Sequence, residues 1–154
     1  EVKILSGIAG EYFVAGELSR RGYIASITLR NTAHIDLLAS NGEKTINIQV
    51  KTRCIERADS WDLGSKPLKH KEVKNNIFCV LVEIHSDPNN KEIGYYIIPK
   101  KELYKKVETN FQENIKIPRR DGRPRTTNRR RLIIENYPEF QTIKYRDNWD
   151  MLFN

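Results

Sequence analysis

The sequence predicts a mixed α/β fold in one domain spanning residues 1–154. Three features lead to this reading. The chain opens on a helical stretch with apolar residues on one face. Two β-rich runs are then joined by Asn41-Gly42, a strong hairpin signal. Further on, Ile77-Phe78-Cys79-Val80-Leu81-Val82 is apolar without alternation, as in a strand buried on both faces.

Taken in order, the first helix is expected over residues 6–21, with Ser6 as N-cap and Gly22 as a left-handed stop. Leu5, Ile8, Tyr12, Ala15 and Leu18 recur at helical spacing and should form its buried face. Glu11 falls between Ala15 and Leu18 on that face, where a bare charge would be costly. A strand follows at 23–29, then a polar turn at Arg30-Asn31-Thr32. Residues 35–39 and 44–52 form the hairpin strands. Residues 53–76 are polar and should be loop with one short helix. The apolar strand at 77–84 ends in a turn at Asp87-Pro88-Asn89-Asn90, and 94–98 returns antiparallel to it. Pro99 opens a helix over 100–107. The end, from Tyr145 to Phe153, regains apolar residues and should dock on the body.

Composition narrows the function classes. Hydrophobic residues make up 38% and charged residues 31%, as in a soluble globular chain. No apolar run approaches the roughly 18 residues of a membrane span, and Glu1-Val2-Lys3-Ile4 does not resemble a signal peptide. Cys54 and Cys79 belong to no CxxC or Cys/His set, which argues against structural zinc and for a reducing, cytoplasmic setting. The net charge of +7 favours a polyanionic partner, nucleic acid first.

The hairpin carries the candidate chemistry. With Asn41 and Gly42 as a two-residue turn, Ser40 pairs with Glu43 and Asp36 lies opposite Asn47. Alternation then gathers Asp36, Asn47, Gln49 and Lys51 on one face, and Ile46, Ile48 and Val50 on the other. Asp36 and Gln49 become diagonal neighbours, with Cα atoms roughly 7–8 Å apart. A carboxylate, an amide oxygen, the Val50 carbonyl and waters suit one Mg²⁺ or Mn²⁺ ion. Lys51 would stand beside the metal-bound water or neutralise charge on a phosphate. Glu11 on the preceding helix could meet the same metal, or pair with an Arg or Lys of the sheet. The same residues can also be read as an ordinary polar face of an exposed hairpin.

The order of helix with Gly10-Glu11, strand, Ile35-Asp36, hairpin, Ile48-Gln49-Val50-Lys51-Thr52, apolar strand and helix resembles the PD-(D/E)xK nuclease superfamily. It is most similar to the Gln-x-Lys branch, as in Mrr-like restriction enzymes, and the opening helix resembles that of archaeal Holliday-junction resolvases. Small bacterial PD-(D/E)xK proteins share the Ile-Gln-Val-Lys-Thr motif, the stretch from Trp61 to Lys66, the strand before Pro99, and Asn148-Trp149. The resemblance implies a restriction-endonuclease-like α/β/α core around a four-stranded mixed sheet. It also implies Mg²⁺-dependent hydrolysis of phosphodiester bonds in DNA. Carried over by position, Asp36 is the central metal ligand, Gln49 replaces an acidic ligand, Lys51 is the catalytic lysine and Glu11 the helix carboxylate. Two departures stand out: Ile35 holds the motif's proline position, and Gln49 removes one negative charge, which should weaken metal binding. An inactive nuclease-fold binding module is therefore the alternative. A homodimer is expected on resemblance alone.

The remaining candidates concern binding. His34 falls near Gln49 in this register, as a substrate contact or a surface residue. Trp61 either lines a substrate groove or anchors a loop, and Lys66 could touch a phosphate. Half of the sixteen positions 116–131 are Lys or Arg, interrupted by Pro118, Gly122 and Pro124. This basic arm suggests phosphate contacts through Arg119, Arg120, Arg123, Arg125, Arg129, Arg130 and Arg131. It could equally be a solvated charge run. It lacks the aromatic residues that would stack on single strands.

Overall fold

The computed structural model describes residues 2–29 and 34–154. The polar turn expected at Arg30-Asn31-Thr32 lies outside them. The chain is mixed α/β, with two long helices, α1 (Val2–Arg20) and α2 (Lys100–Lys116). Strands β1 (Ile24–Ile27), β2 (Leu37–Ser40), β3 (Thr45–Cys54), β5 (Ile77–Ile84) and β6 (Gly94–Pro99) form one sheet in the order β1-β2-β3-β5-β6. Only the β3–β5 pair is parallel; the others are antiparallel. The sheet has five strands, not the four expected. A second, two-stranded sheet pairs β4 (Trp61–Gly64) with β7 (Arg130–Leu132). Strand β4 lies where local pattern predicts loop, and β7 begins at the end of the predicted arm. Among the described residues no helix is long and apolar enough to cross a membrane.

Side-chain alternation divides the core into two layers. On one face, Leu37, Ile48, Val50, Val80 and Ile97 pack with Val14 and Leu18 of α1 and with Trp149. On the other, Cys79, Leu81 and Ile98 pack with Leu103 and Val107 of α2, together with Trp61 and Leu132. Strand β5 contributes to both layers, which explains its unbroken apolar run. The chain end docks as expected: Trp149 is buried in a 3-10 turn and meets Tyr95 edge-on at 5.0 Å.

The first helix differs from its predicted phase. Leu5 and Tyr12 are exposed at 64% and 65%, and the buried line is Gly10, Val14 and Leu18. Gly10 explains the rotation. A Cβ there would sit 1.9 Å from Thr52 Oγ1, so the helix backbone approaches β3 where no side chain intervenes. A count of apolar side chains cannot register a contact made by a residue without one. Ser6 lies inside α1, which begins at Val2, and so is not its N-cap residue.

Candidate active site on the hairpin

The hairpin pairs Leu37 with Ile48, Leu38 with Asn47, Ala39 with Ile46 and Ser40 with Thr45. This is a correction: Asp36 does not face Asn47. The cause is the turn. Asn41 Oδ1 accepts hydrogen bonds from the amides of Glu43 (3.0 Å) and Lys44 (2.8 Å), and the Asn41 amide donates to the Lys44 carbonyl (3.3 Å). Glu43 and Lys44 are thereby drawn into the turn, and the strands pair two residues later than a two-residue turn would set. A slip of two keeps every side chain on its predicted face, whereas a slip of one would have inverted the hairpin. Continued one step, the register sets Gln49 across from Asp36.

Asp36 is held on three sides. Its amide donates to the Ile48 carbonyl at 2.8 Å, and its carbonyl accepts from the Thr28 amide at 2.9 Å. Its carboxylate Oδ2 accepts from the Val50 amide at 2.7 Å, which fixes the acid against the β3 backbone beside Gln49 and Lys51. Gln49 is 5% exposed. Its Oε1 accepts from the Cys79 thiol at 3.7 Å and from the Tyr104 hydroxyl at 3.4 Å. Burial pushes the Cys79 thiol up to about 12 and raises Tyr104 as well, so both remain protonated donors at neutral pH. Lys51, one pleat along on the same face, is half-buried.

Sequence reasoning missed Lys100 and Tyr104. Lys100 opens α2, is 5% exposed, and its ammonium lies 5.1 Å from the Tyr104 ring centroid. Burial lowers its pKa; Lys51 lowers it further, while nearby Asp36 opposes that effect. Its spacing to Tyr104 is i,i+4, which puts both on one side of α2. The available signal was a lysine placed directly after a buried strand, where the chain has no exposed turn in which to carry it.

The other predicted residues fall elsewhere. Glu11 is half-buried on α1, whose buried line packs on the face opposite Gln49 and Lys51. Side-chain alternation thus brings Asp36, Gln49 and Lys51 to one face of the sheet. His34 is exposed, with left-handed backbone (φ 65°). Trp61 is a buried anchor at the start of β4 and does not line a groove. It is 1% exposed, its Nε1 donates to the Val82 carbonyl at 3.0 Å, and the Arg53 guanidinium lies 4.1 Å from its ring centroid. Lys66 is exposed in the segment after β4.

The basic arm divides internally. Arg130 is a structural residue, contrary to expectation. It is 5% exposed and grips Glu108 with two hydrogen bonds, of 3.0 and 2.9 Å. It also donates to the Ser65 and Asn128 carbonyls and lies 3.9 Å from the Phe111 ring centroid. Arg129 pairs with Asp62, Arg125 donates to the Ile117 carbonyl, and Arg123 lies 3.8 Å from Asp121. The side chains of Arg119, Arg120 and Arg131 make no hydrogen bond or ion pair among the described residues.

Asp36, the Gln49 amide and the Val50 carbonyl offer hard oxygen donors with one carboxylate. Magnesium is commonly held by one or two carboxylates with waters and substrate phosphates, so this donor set fits it. Among the described residues no group of three or more His, Cys, Asp or Glu stands together as a metal cage. Compared with descriptions of known families, with curated proteins and with solved structures, the chain matches none.

Proposed function

We propose that the chain is a metal-dependent endonuclease that hydrolyses phosphodiester bonds in DNA, with a restriction-endonuclease-like core. The observation that carries this reading is the Asp36 carboxylate held on the Val50 amide at 2.7 Å, with Gln49 across from it and Lys51 on the same face. A mixed sheet with a helix on each face supports it. A Mg²⁺ or Mn²⁺ ion, when bound, supplies an acidified water and neutralises charge on the phosphate. Asp36 and the oxygen of Gln49 would hold that ion, together with the Val50 carbonyl. Lys51 orients the attacking water and stabilises the negative charge that develops on the phosphoryl oxygens. Lys100, the first residue of α2, adds a second ammonium to that field from a partly dehydrated position, where its charge acts more strongly than in bulk water.

One observation favours a second reading, a nuclease-fold module that binds nucleic acid without cutting it. The Gln49 oxygen already accepts from Cys79 and Tyr104, and it carries no charge to compensate the loss of those partners. Incubation with linear, single-stranded and branched DNA, with Mg²⁺ or Mn²⁺, tests the first reading. Wild-type protein should cut at least one substrate, and Asp36→Ala should bind DNA without cutting it. Full cleavage by Asp36→Ala would overturn the reading. Metal titration separates the two: DNA binding without any Mg²⁺ or Mn²⁺ binding selects the module.

A further inference from the structure

Among the described residues, two concave regions carry charge that differs in kind. The larger, about 850 Å³, is balanced: Arg53, Arg57 and Arg131 face Glu56, Asp59 and Asp62. The smaller, about 600 Å³, lies where the 3-10 turn His70–Glu72, the start of β5 and the first turns of α2 meet. It is lined by Lys71, Lys74, Lys101 and Lys105, with His70 alongside. All four lysines are exposed, and none has an ion-pair partner among the described residues. The one carboxylate in the lining, Glu102, accepts from the Tyr145 hydroxyl at 2.6 Å.

Such a cleft is unfavourable when empty. Lys101 and Lys105 are i,i+4 neighbours on α2, an arrangement that repels. Each ammonium offers three donors and no acceptor, so the lysines cannot satisfy one another. Lys101 also lies in the first turn of α2, where a cation is disfavoured and an anion welcome. An extended anion relieves all three conflicts at once. The cleft also adjoins the hairpin site. Ile77 in its wall pairs with Asn47, two residues before Gln49, and Lys101 directly follows buried Lys100.

We infer that this lysine cleft binds the phosphodiester backbone of a nucleic acid and leads it to the hairpin site. The inference takes its ligand class from the nuclease-fold reading above. Ammonium groups on flexible stems read charge and not base edges, so the cleft contributes affinity without sequence preference. The basic arm plays a smaller part, because most of its arginines are already paired within the chain.

The test is binding of a fluorescein-labelled DNA duplex at several salt concentrations between 50 and 200 mM, without divalent metal. The variant Lys71→Ala/Lys74→Ala/Lys101→Ala/Lys105→Ala should bind at least about tenfold more weakly at the lowest salt. Its log–log salt slope should be shallower by about 3–4, near 0.9 for each phosphate contact removed. Arg119→Ala/Arg120→Ala should change the slope by less than half as much. Should the fourfold variant fail to fold, Lys71→Gln/Lys74→Gln leaves α2 untouched and should still reduce the slope by about 1–2. Wild-type affinity and slope in a folded variant would overturn the inference. So would a wild-type protein that ignores duplex and single strand but binds anionic phospholipid vesicles. The outcome is separable from the nuclease reading: lysine-dependent binding without any cleavage keeps the cleft and removes the nuclease. Cleavage unaffected by loss of the lysines does the reverse.

Discussion

The chain has two strongly basic regions, and they use their charge differently. The arm, at residues 116–131, is the denser in sequence. Several of its cations are nevertheless engaged within the chain: Arg130 is buried on Glu108, while exposed Arg129 meets Asp62 and exposed Arg125 ties back to Ile117. The cleft gathers lysines from two segments about thirty residues apart in the sequence, and leaves them without partners among the described residues. A run of arginines therefore measures charge, whereas the charge available to a ligand is a property of the fold. Arginine suits the arm's structural task, since its planar fork can hold a carboxylate and two carbonyls at once.

The sharpest way to break this contrast is Arg130→Ala. The substitution removes the cationic partner of a half-buried carboxylate, which keeps the Leu68 amide and the Gln112 side chain, and uncovers the Phe111 face; it should cost roughly 3 kcal/mol by urea denaturation, with little change in DNA affinity of the folded protein. A stable variant with weakened DNA binding would return Arg130 to the binding surface. The same pair predicts acid sensitivity. Arg130 is the main cause that holds Glu108 down to about 2 from an ordinary value of 4.5, against the opposing effect of burial. A depressed acid stabilises the fold fully above about 4.5 and loses that contribution as the pH falls towards about 2. Acid unfolding followed by circular dichroism should show this dependence in wild type and a weaker one in Arg130→Ala.

A smaller effect has the opposite sign. Lys101→Glu replaces a repelling i,i+4 pair with an attractive one and puts an acid in the first turn of α2. It should raise stability by about 0.5–1 kcal/mol while weakening duplex binding. Reduced stability, measured by the same urea titration, would show that the cleft lysines do not repel. The smallest effect belongs to Arg129→Ala, whose exposed partner Asp62 stays solvated; its melting temperature should match wild type.

Much of the site was legible in the sequence because alternation is robust. A hairpin displaced by two residues still presents Asp36, Gln49 and Lys51 on one face. The turn length was not legible, since it depends on where the Asn41 side chain finds its amides. The phase of α1 was hidden in Gly10, a contact made by a missing side chain. The β4–β7 pairing and the Arg130–Glu108 clamp join segments far apart in sequence, which local pattern does not encode. Lys100 was hidden for a related reason. It looks like any helix-opening lysine until Cys79, Tyr104 and Lys51 are brought around it.

The most direct measurement is single-turnover cleavage of a bound DNA substrate by Lys51→Ala beside wild type, with Mg²⁺ present. Wild type should cut, and Lys51→Ala, binding the same DNA with similar affinity, should be slower by at least about 100-fold, as for loss of a positioned proton-transfer or charge-stabilising group. Cleavage by Lys51→Ala at the wild-type rate would contradict this expectation.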